Sequence, residues 1–157
     1  MRNDLLTAAG VLLALLVGYW FFHSPMGQSA LAKFGHSPLA GGTASAMMRE
    51  DITTAAGRIK TSLAEFYANR GRMPADNAEA GLPPPAAFRG QTLRSAIVRA
   101  DGSFELEFDA GSGHDGGVVR MVADTSRVDA MGVQWACQTS DYPAIARAIP
   151  TCTYTGQ

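Results

Sequence analysis

The two cysteines of this 157-residue sequence, Cys137 and Cys152, are the side chains best placed to do chemistry. A disulfide between them closes a loop of about 15 residues, which the chain-entropy model values at about 3 kcal/mol. Disulfides persist in the periplasm and outside the cell and are rare in the cytosol. We therefore predict a disulfide in such a compartment, with two free buried thiols as the alternative. Two cysteines and three scattered histidines do not form a zinc site.

A second set of reactive side chains lies in one glycine-rich stretch, at Ser112, His114 and Asp115. The members of a catalytic triad come from separated chain positions, and each orients the next. Three nearly adjacent residues do not meet that condition, so we predict a solvated loop there. No other set of titratable groups converges in the sequence, and we expect neither an enzyme nor a cofactor.

Five arginines that could form a basic patch are Arg94, Arg99, Arg120, Arg127 and Arg147. After Thr43, however, the chain has 11 basic and 13 acidic residues. The net charge of that region is therefore negative and repels a polyanion, and we do not expect nucleic-acid binding.

The apolar run Leu5 to Phe22 has no charged side chain. As a helix it spans roughly 27 Å, which is close to the hydrocarbon thickness of a bilayer. We predict an inner-membrane anchor over residues 1–22, with Arg2 on the cytoplasmic side. A cleaved signal peptide is the alternative, although its cleavage-like Ala30-Leu31-Ala32 lies well past the apolar run. Residues 23–43, rich in Gly and Pro, are predicted to be a spacer.

The following domain, residues 44–157, is predicted to begin with one amphipathic helix from Ala44 to Arg70. Thr43 or Ser45 could cap its start, and Gly71 could end it. Apolar residues at spacings of three and four form one stripe along it: Met48, Ile52, Ala55, Ile59, Leu63 and Phe66.

The rest of that domain has the alternation of strands. Asp101-Gly102 favours a type I′ hairpin turn, and the tail after Gln138 is predicted to be irregular. The predicted strands are Thr92–Ala100, Phe104–Phe108, Val118–Ala123 and Val133–Cys137. We therefore expect an α+β fold, with one helix packed on a four-stranded antiparallel sheet.

Four segments of the domain follow one another along the chain: Ile59–Pro74, Asn77–Pro83, Val133–Cys137 and Tyr142–Cys152. Together they resemble the globular domain of bacterial type IV pilins. Ile59–Pro74 is similar to the end of their long helix, and Asn77–Pro83 to the loop that follows it. Val133–Cys137 resembles their last main strand. The stretch from Tyr142-Pro143-Ala144 to Ile149–Cys152 resembles their disulfide-bounded loop. The likeness covers about Asp51 to Cys152, which is roughly two thirds of the chain.

The resemblance implies a structural subunit or minor pilin of a type IV pilus, located in the pilus or with its C-terminal domain in the periplasm. Its partners would be other pilin subunits or pilus assembly proteins. In pilins the disulfide-bounded loop is exposed and often contacts a host or partner. Carried over to this sequence, that loop implies adhesion through five residues: Gln138, Asp141, Tyr142, Arg147 and Thr151.

The N-terminus departs from the pilin pattern, which has a glutamate close after a leader glycine. Val11–Leu15 follows Gly10 and Tyr19–His23 follows Gly18, and neither segment has that carboxylate. A second hypothesis is therefore an inner-membrane assembly factor or regulator that binds pilins without entering the fibre. A third is a periplasmic DNA-binding module with a pilin-like fold.

Overall fold

The computed structural model describes residues 38–157, and its main helix, α1, spans Pro38–Arg70. The predicted apolar stripe faces the core, and at its centre Ile59 and Leu63 are fully buried. Phe66, at the end of the stripe, is only half-buried. As predicted, α1 ends at Gly71, whose φ of 69° is the left-handed conformation common after helices. Its N–H donates to the Tyr67 carbonyl at 2.8 Å.

The start of α1 differs from the prediction, because residues 38–43 of the expected spacer are helical. Proline is tolerated in the first turn of a helix, where its missing N–H would have no intrahelical partner. Thr43 and Ser45 therefore lie inside α1 and do not cap it. The predicted membrane anchor, Leu5–Phe22, lies outside the described residues. Within residues 38–157, no helix has the length and apolarity needed to cross a bilayer.

The sheet has five strands and is mixed, so the predicted four-stranded antiparallel sheet is wrong in number and in direction. Its strands, in spatial order, are β1 (Leu93–Val98), β2 (Phe104–Phe108), β3 (Val118–Asp124), β4 (Gln134–Thr139) and β5 (Cys152–Tyr154). The first four form an antiparallel meander, and β5 pairs with β4 in parallel. Two short helices, α2 (Val128–Met131) and α3 (Ile145–Ala148), lie before β4 and β5.

The β1–β2 hairpin does not contain the expected type I′ turn. That turn needs positive φ at two central residues, and among the described residues only glycines have positive φ. Arg99 N–H donates to the Ser103 carbonyl at 2.8 Å, so this pair closes the hairpin around a loop of the three residues Ala100–Gly102. Gly102, at φ 79°, takes the left-handed position that such a loop requires.

The core lies between α1 and one face of the sheet, as expected for a two-layer α+β domain. Its fully buried members include Ile59 and Leu63 of α1, and Phe104, Leu106 and Val119 of the sheet. Alternate residues of β2 are buried, which confirms the period-two pattern. Residues 41–157 form one compact unit.

Two buried polar side chains join α1 and the segment after it to the sheet. The Asp51 carboxylate accepts hydrogen bonds from residues at the start of β1, including the Leu93 N–H at 3.1 Å. Asn77 binds the outer edge of β1, donating to the Ala96 carbonyl at 2.9 Å and accepting from the Val98 N–H at 2.7 Å. The helix therefore meets a sheet whose first strand is held at both ends.

The disulfide-bounded loop as candidate functional site

Cys137 and Cys152 form the predicted disulfide, which is confirmed. They are direct partners in the parallel pairing of β4 with β5, and their Cα atoms are 4.4 Å apart. The bond therefore joins two adjacent strands across a separation of 15 residues. The segment between them starts and ends at fixed positions on the sheet.

The middle of this segment is held down by Tyr142. Its hydroxyl lies 2.7 Å from the Ser112 hydroxyl and donates to the His114 carbonyl at 3.3 Å. Its ring packs edge-on against Phe108 of β2, with centroids 6.2 Å apart. Edge-to-face aromatic pairs add stability beyond the area they bury. Tyr142 therefore fixes the disulfide-bounded loop to the β2–β3 loop.

The surroundings of Tyr142 are close-packed. Burial raises the pKa of the Tyr142 phenol, although the hydrogen bond to Ser112 acts in the opposite direction. A Cβ added to Gly117 would lie 2.4 Å from the Tyr142 hydroxyl oxygen. Gly117 is needed here because the tyrosine lies directly against its backbone.

The five residues proposed for recognition have different surroundings. Gln138 belongs to β4 and pairs with Arg120 on one side and Thr153 on the other. The Asp141 carboxylate accepts a hydrogen bond from the Val118 N–H at 2.8 Å. Tyr142 is buried, as described above. Only Arg147 and Thr151 of the five are exposed.

Exposed neighbours of Arg147 and Thr151 complete one outward surface. We call it the loop crest, and its exposed residues are Pro143, Ala144, Ala146, Arg147, Pro150 and Thr151. Ile145 and Ala148 of α3 face inward and are buried. The crest therefore has four apolar residues, one hydroxyl and one cationic side chain, and buried residues of α3 lie beneath it.

Ser112, His114 and Asp115 do not form a catalytic relay. The Ser112 hydroxyl contacts Tyr142 and donates to the Asp109 carbonyl at 2.7 Å, whereas Asp115 pairs with Arg94 at 2.5 Å. A triad needs the acid to orient the histidine and the histidine to contact the nucleophile. In addition, residues 38–157 contain no group of three or more His, Cys, Asp or Glu side chains that could hold a metal ion.

The five arginines considered for a basic patch are largely neutralised. Arg94 pairs with Glu107 and Asp115, Arg99 with Glu105, and Arg120 with Asp101. Arg127 and Arg147 are exposed. An arginine already paired with a carboxylate gains less from a phosphate, because the existing partner must first be displaced. This arrangement argues against the DNA-binding hypothesis.

Sequence reasoning missed β5 and the anchoring pair of Ser112 with Tyr142. β5 has only three residues, too few for a period-two pattern to be recognised. The Ser112–Tyr142 contact joins residues 30 positions apart. Two features of the sequence could have indicated them. The cysteine at the start of β5 must lie beside its disulfide partner, and the glycines that surround Ser112 allow close packing there.

Comparison with known families matches residues 46–153 to the family model of pilin, a bacterial filament protein. This chain belongs to the pilin family. The match includes most of α1, the whole meander and both cysteines, so it covers the same features that carried the resemblance in sequence. No curated protein matches the chain.

Membership of the pilin family has direct consequences for function. Pilins are structural proteins, and the family points to a subunit that assembles with other pilin subunits in a filament. A location in the pilus follows from the same membership. In this pilin-family domain, the disulfide-bounded loop places exposed residues above a disulfide and a buried tyrosine.

Proposed function

We propose that this pilin-family chain is a filament subunit, or minor pilin, that attaches to a surface or partner through the loop crest. One observation carries the proposal. The crest exposes Arg147 and Thr151 above a base fixed by the Cys137–Cys152 disulfide and the buried Tyr142. A preformed surface loses little conformational entropy when it binds, so few exposed residues suffice for contact.

The proposal includes an arrangement of the whole chain. Residues 1–22 would anchor the subunit in the inner membrane before assembly, and residues 23–37 would connect the anchor to α1. Support comes from the uncharged run Leu5–Phe22 and from the two-cysteine disulfide, which belongs to an oxidising compartment.

The test replaces the one charged residue of the crest, as Arg147→Ala, in the full-length chain produced in cells that lack the native copy. Attachment of cells to a surface is expected to fall, while the amount of the chain in sheared filaments stays the same. The matched control is Arg127→Ala, which removes an exposed arginine outside the loop. Unchanged attachment with normal filaments would refute adhesion through the crest.

A second candidate function is an inner-membrane assembly factor that binds pilins without entering the fibre. The observation in its favour is the absence of a glutamate after Gly10 and after Gly18. Mass spectrometry of the mature N-terminus, together with fractionation, separates the two candidates. A chain that keeps Met1 and remains with inner membranes is the assembly factor. A chain shortened to Val11 or Tyr19 and recovered in sheared filaments is the subunit.

A further inference from the structure

A groove of about 370 Å³ runs along α1 beside the disulfide-bounded loop, and we call it the α1 groove. Thr53, Ala56 and Gly57 of α1 form its small-residue side. Trp135 of β4 and Ile149 of the loop are among the apolar residues opposite. The groove is open to solvent along the helix, so an elongated segment can lie in it.

Gly57 is the least expected residue in the α1 groove. Glycine in a helix interior costs about 1 kcal/mol relative to alanine. A Cβ added to Gly57 would have no neighbour within 4 Å, so packing within the described domain does not require a glycine here. The glycine instead keeps the helix backbone accessible from outside. We infer that glycine is present here, despite its cost in helix stability, because another chain packs closely against the helix at this position.

The charged residues that line the α1 groove are both cations. Arg49 and Lys60 are in the lining, which contains no acidic residue. Within residues 38–157 neither forms an ion pair. Lys60 is half-buried, and burial lowers the pKa of its amine. A carboxylate entering the groove would restore the stabilisation that this cation lost on leaving water.

The geometry of Trp135 disfavours a nucleic acid as the occupant. Single-stranded nucleic acids bind cationic grooves by stacking their bases on exposed aromatic faces. Here the Lys60 amine lies over the Trp135 ring, 5.8 Å from its centroid, and Phe104 packs edge-on at 5.4 Å. The ring is already engaged by both neighbours, so the occupant is better sought among acidic protein segments.

An exposed acidic ridge with small neighbours lies further along the same helix. Glu65 is exposed and forms no ion pair within residues 38–157. Thr61 and Ala68 are also exposed and lie four residues before and three residues after it, on the same helix face. We call these three residues the Glu65 ridge. The carboxylate of the ridge complements the two cations of the α1 groove. The small side chains beside that carboxylate allow the ridge to approach the small-residue side of the groove closely.

We propose that the α1 groove receives the Glu65 ridge of a second copy of this chain, with that carboxylate between Arg49 and Lys60. The inference rests on the proposed role as a filament subunit. Because the groove and the ridge are different surfaces, the contact is head-to-tail and can repeat without closing. Such heterologous contacts build open helical assemblies, which is the kind of assembly that a filament requires.

The test uses two complementary full-length variants with different tags, Lys60→Arg and Glu65→Gln, produced together in one cell. A carbodiimide joins an amine to a carboxylate directly, without a spacer. The sequence has only two lysines, Lys33 and Lys60, so a cross-linked peptide is easily assigned. A Lys60–Glu65 peptide can form only between the two variants, and each variant produced alone is the matched control.

The expected result is a Lys60–Glu65 peptide from the co-expressing cells and none from either control. The carbodiimide is added to whole cells, so the cross-link is detected whether the chain is in the membrane or in a filament. Absence of that peptide, or a Lys60 cross-link to a different carboxylate instead, would overturn the assignment. If the chain is in sheared filaments but the peptide is absent, only the groove contact fails. If the peptide forms but the chain is absent from filaments, the subunit role fails.

Charge exchange provides a second readout. Lys60→Glu and Glu65→Lys are each expected to reduce the chain in sheared filaments about tenfold, and their combination is expected to restore it. Gly57→Leu should reduce it as well, because its side chain fills the groove without changing any charge. Melting temperatures no lower than that of the unaltered chain exclude misfolding as the cause. Failure of the double variant to recover would contradict the pairing.

Discussion

Thr92 contacts one oxygen of the Asp51 carboxylate twice, through its N–H at 2.7 Å and through its hydroxyl at 2.8 Å. The N–H groups of Leu93 and Gln91 also donate to this carboxylate, at 3.1 Å and 2.9 Å. A buried charge is tolerated when hydrogen bonds satisfy it. Asp51 therefore links α1 to the start of β1, about forty positions later in the chain.

Replacement of Asp51 should be among the most destabilising changes in the domain. Hydrogen bonds to charged groups are worth about 1.5–3 kcal/mol each and are not additive, so we expect Asp51→Ala to lower the free energy of unfolding by about 3 kcal/mol. Urea unfolding of the purified protein measures it. Thr92→Val, which removes only the hydroxyl donor, should cost about 1 kcal/mol. Equal losses in the two variants would show that the backbone donors contribute little.

Loss of the disulfide should destabilise the domain while leaving the loop partly docked. For a loop of this length the chain-entropy model predicts a loss of about 3 kcal/mol in Cys137→Ser with Cys152→Ser. Unfolding with and without reductant provides the comparison, and the double variant should not respond to reductant. Tyr142 should keep its contact with Ser112, so its side-chain NMR signals should stay dispersed. Collapse of those signals would mean that the disulfide alone holds the loop.

Two glycines provide a matched pair of substitutions with opposite expected signs. Gly117→Ala places a methyl group 2.4 Å from the Tyr142 hydroxyl oxygen, and overpacking of this kind costs about 1–3 kcal/mol. Gly57→Ala meets no atom within 4 Å and should stabilise α1 by about 1 kcal/mol. Thermal unfolding of both variants is the measurement. A stabilising Gly117→Ala would contradict the close contact with Tyr142.

Acid should weaken the link between Arg72 and Glu79. Their side chains pair at 2.5 Å, and this pairing, together with a hydrogen bond from the Ala75 N–H, lowers the pKa of Glu79 from 4.5 to about 2. Because the folded-state pKa is depressed, the contribution is present above about pH 4.5 and is lost as the pH falls towards 2. Glu79→Gln should flatten the stability profile in that window. NMR titration of the Glu79 carboxyl checks the value, and a midpoint near 4.5 would show that the pair is not formed.

The features that the sequence predicted well depend on local pattern. Ile59 and Leu63 repeat at helical spacing, and Phe104 and Leu106 alternate with acidic residues, so burial of one face followed directly from periodicity. The disulfide was predictable because the chain has only two cysteines. These inferences need no knowledge of distant contacts.

The features that sequence reasoning missed depend on tertiary context. β5 forms because Cys152 is bonded to Cys137, which places a three-residue segment beside β4. Pro38 and the glycines after it favour a break, yet the helix includes them. Asp51 lies near the predicted start of α1, and no local pattern indicates that its hydrogen-bond donors come from a segment far along the chain. Periodicity contains no information about such pairings.

The Asn77 side chain substitutes for a neighbouring strand on the outer edge of β1, where it occupies the Ala96 carbonyl and the Val98 N–H. Exposed sheet edges invite pairing with foreign polypeptides. A competing strand would have to expel this amide before it could extend the sheet there. The domain can therefore be crowded among many copies of itself with little risk of fusing along β1 into a continuous sheet.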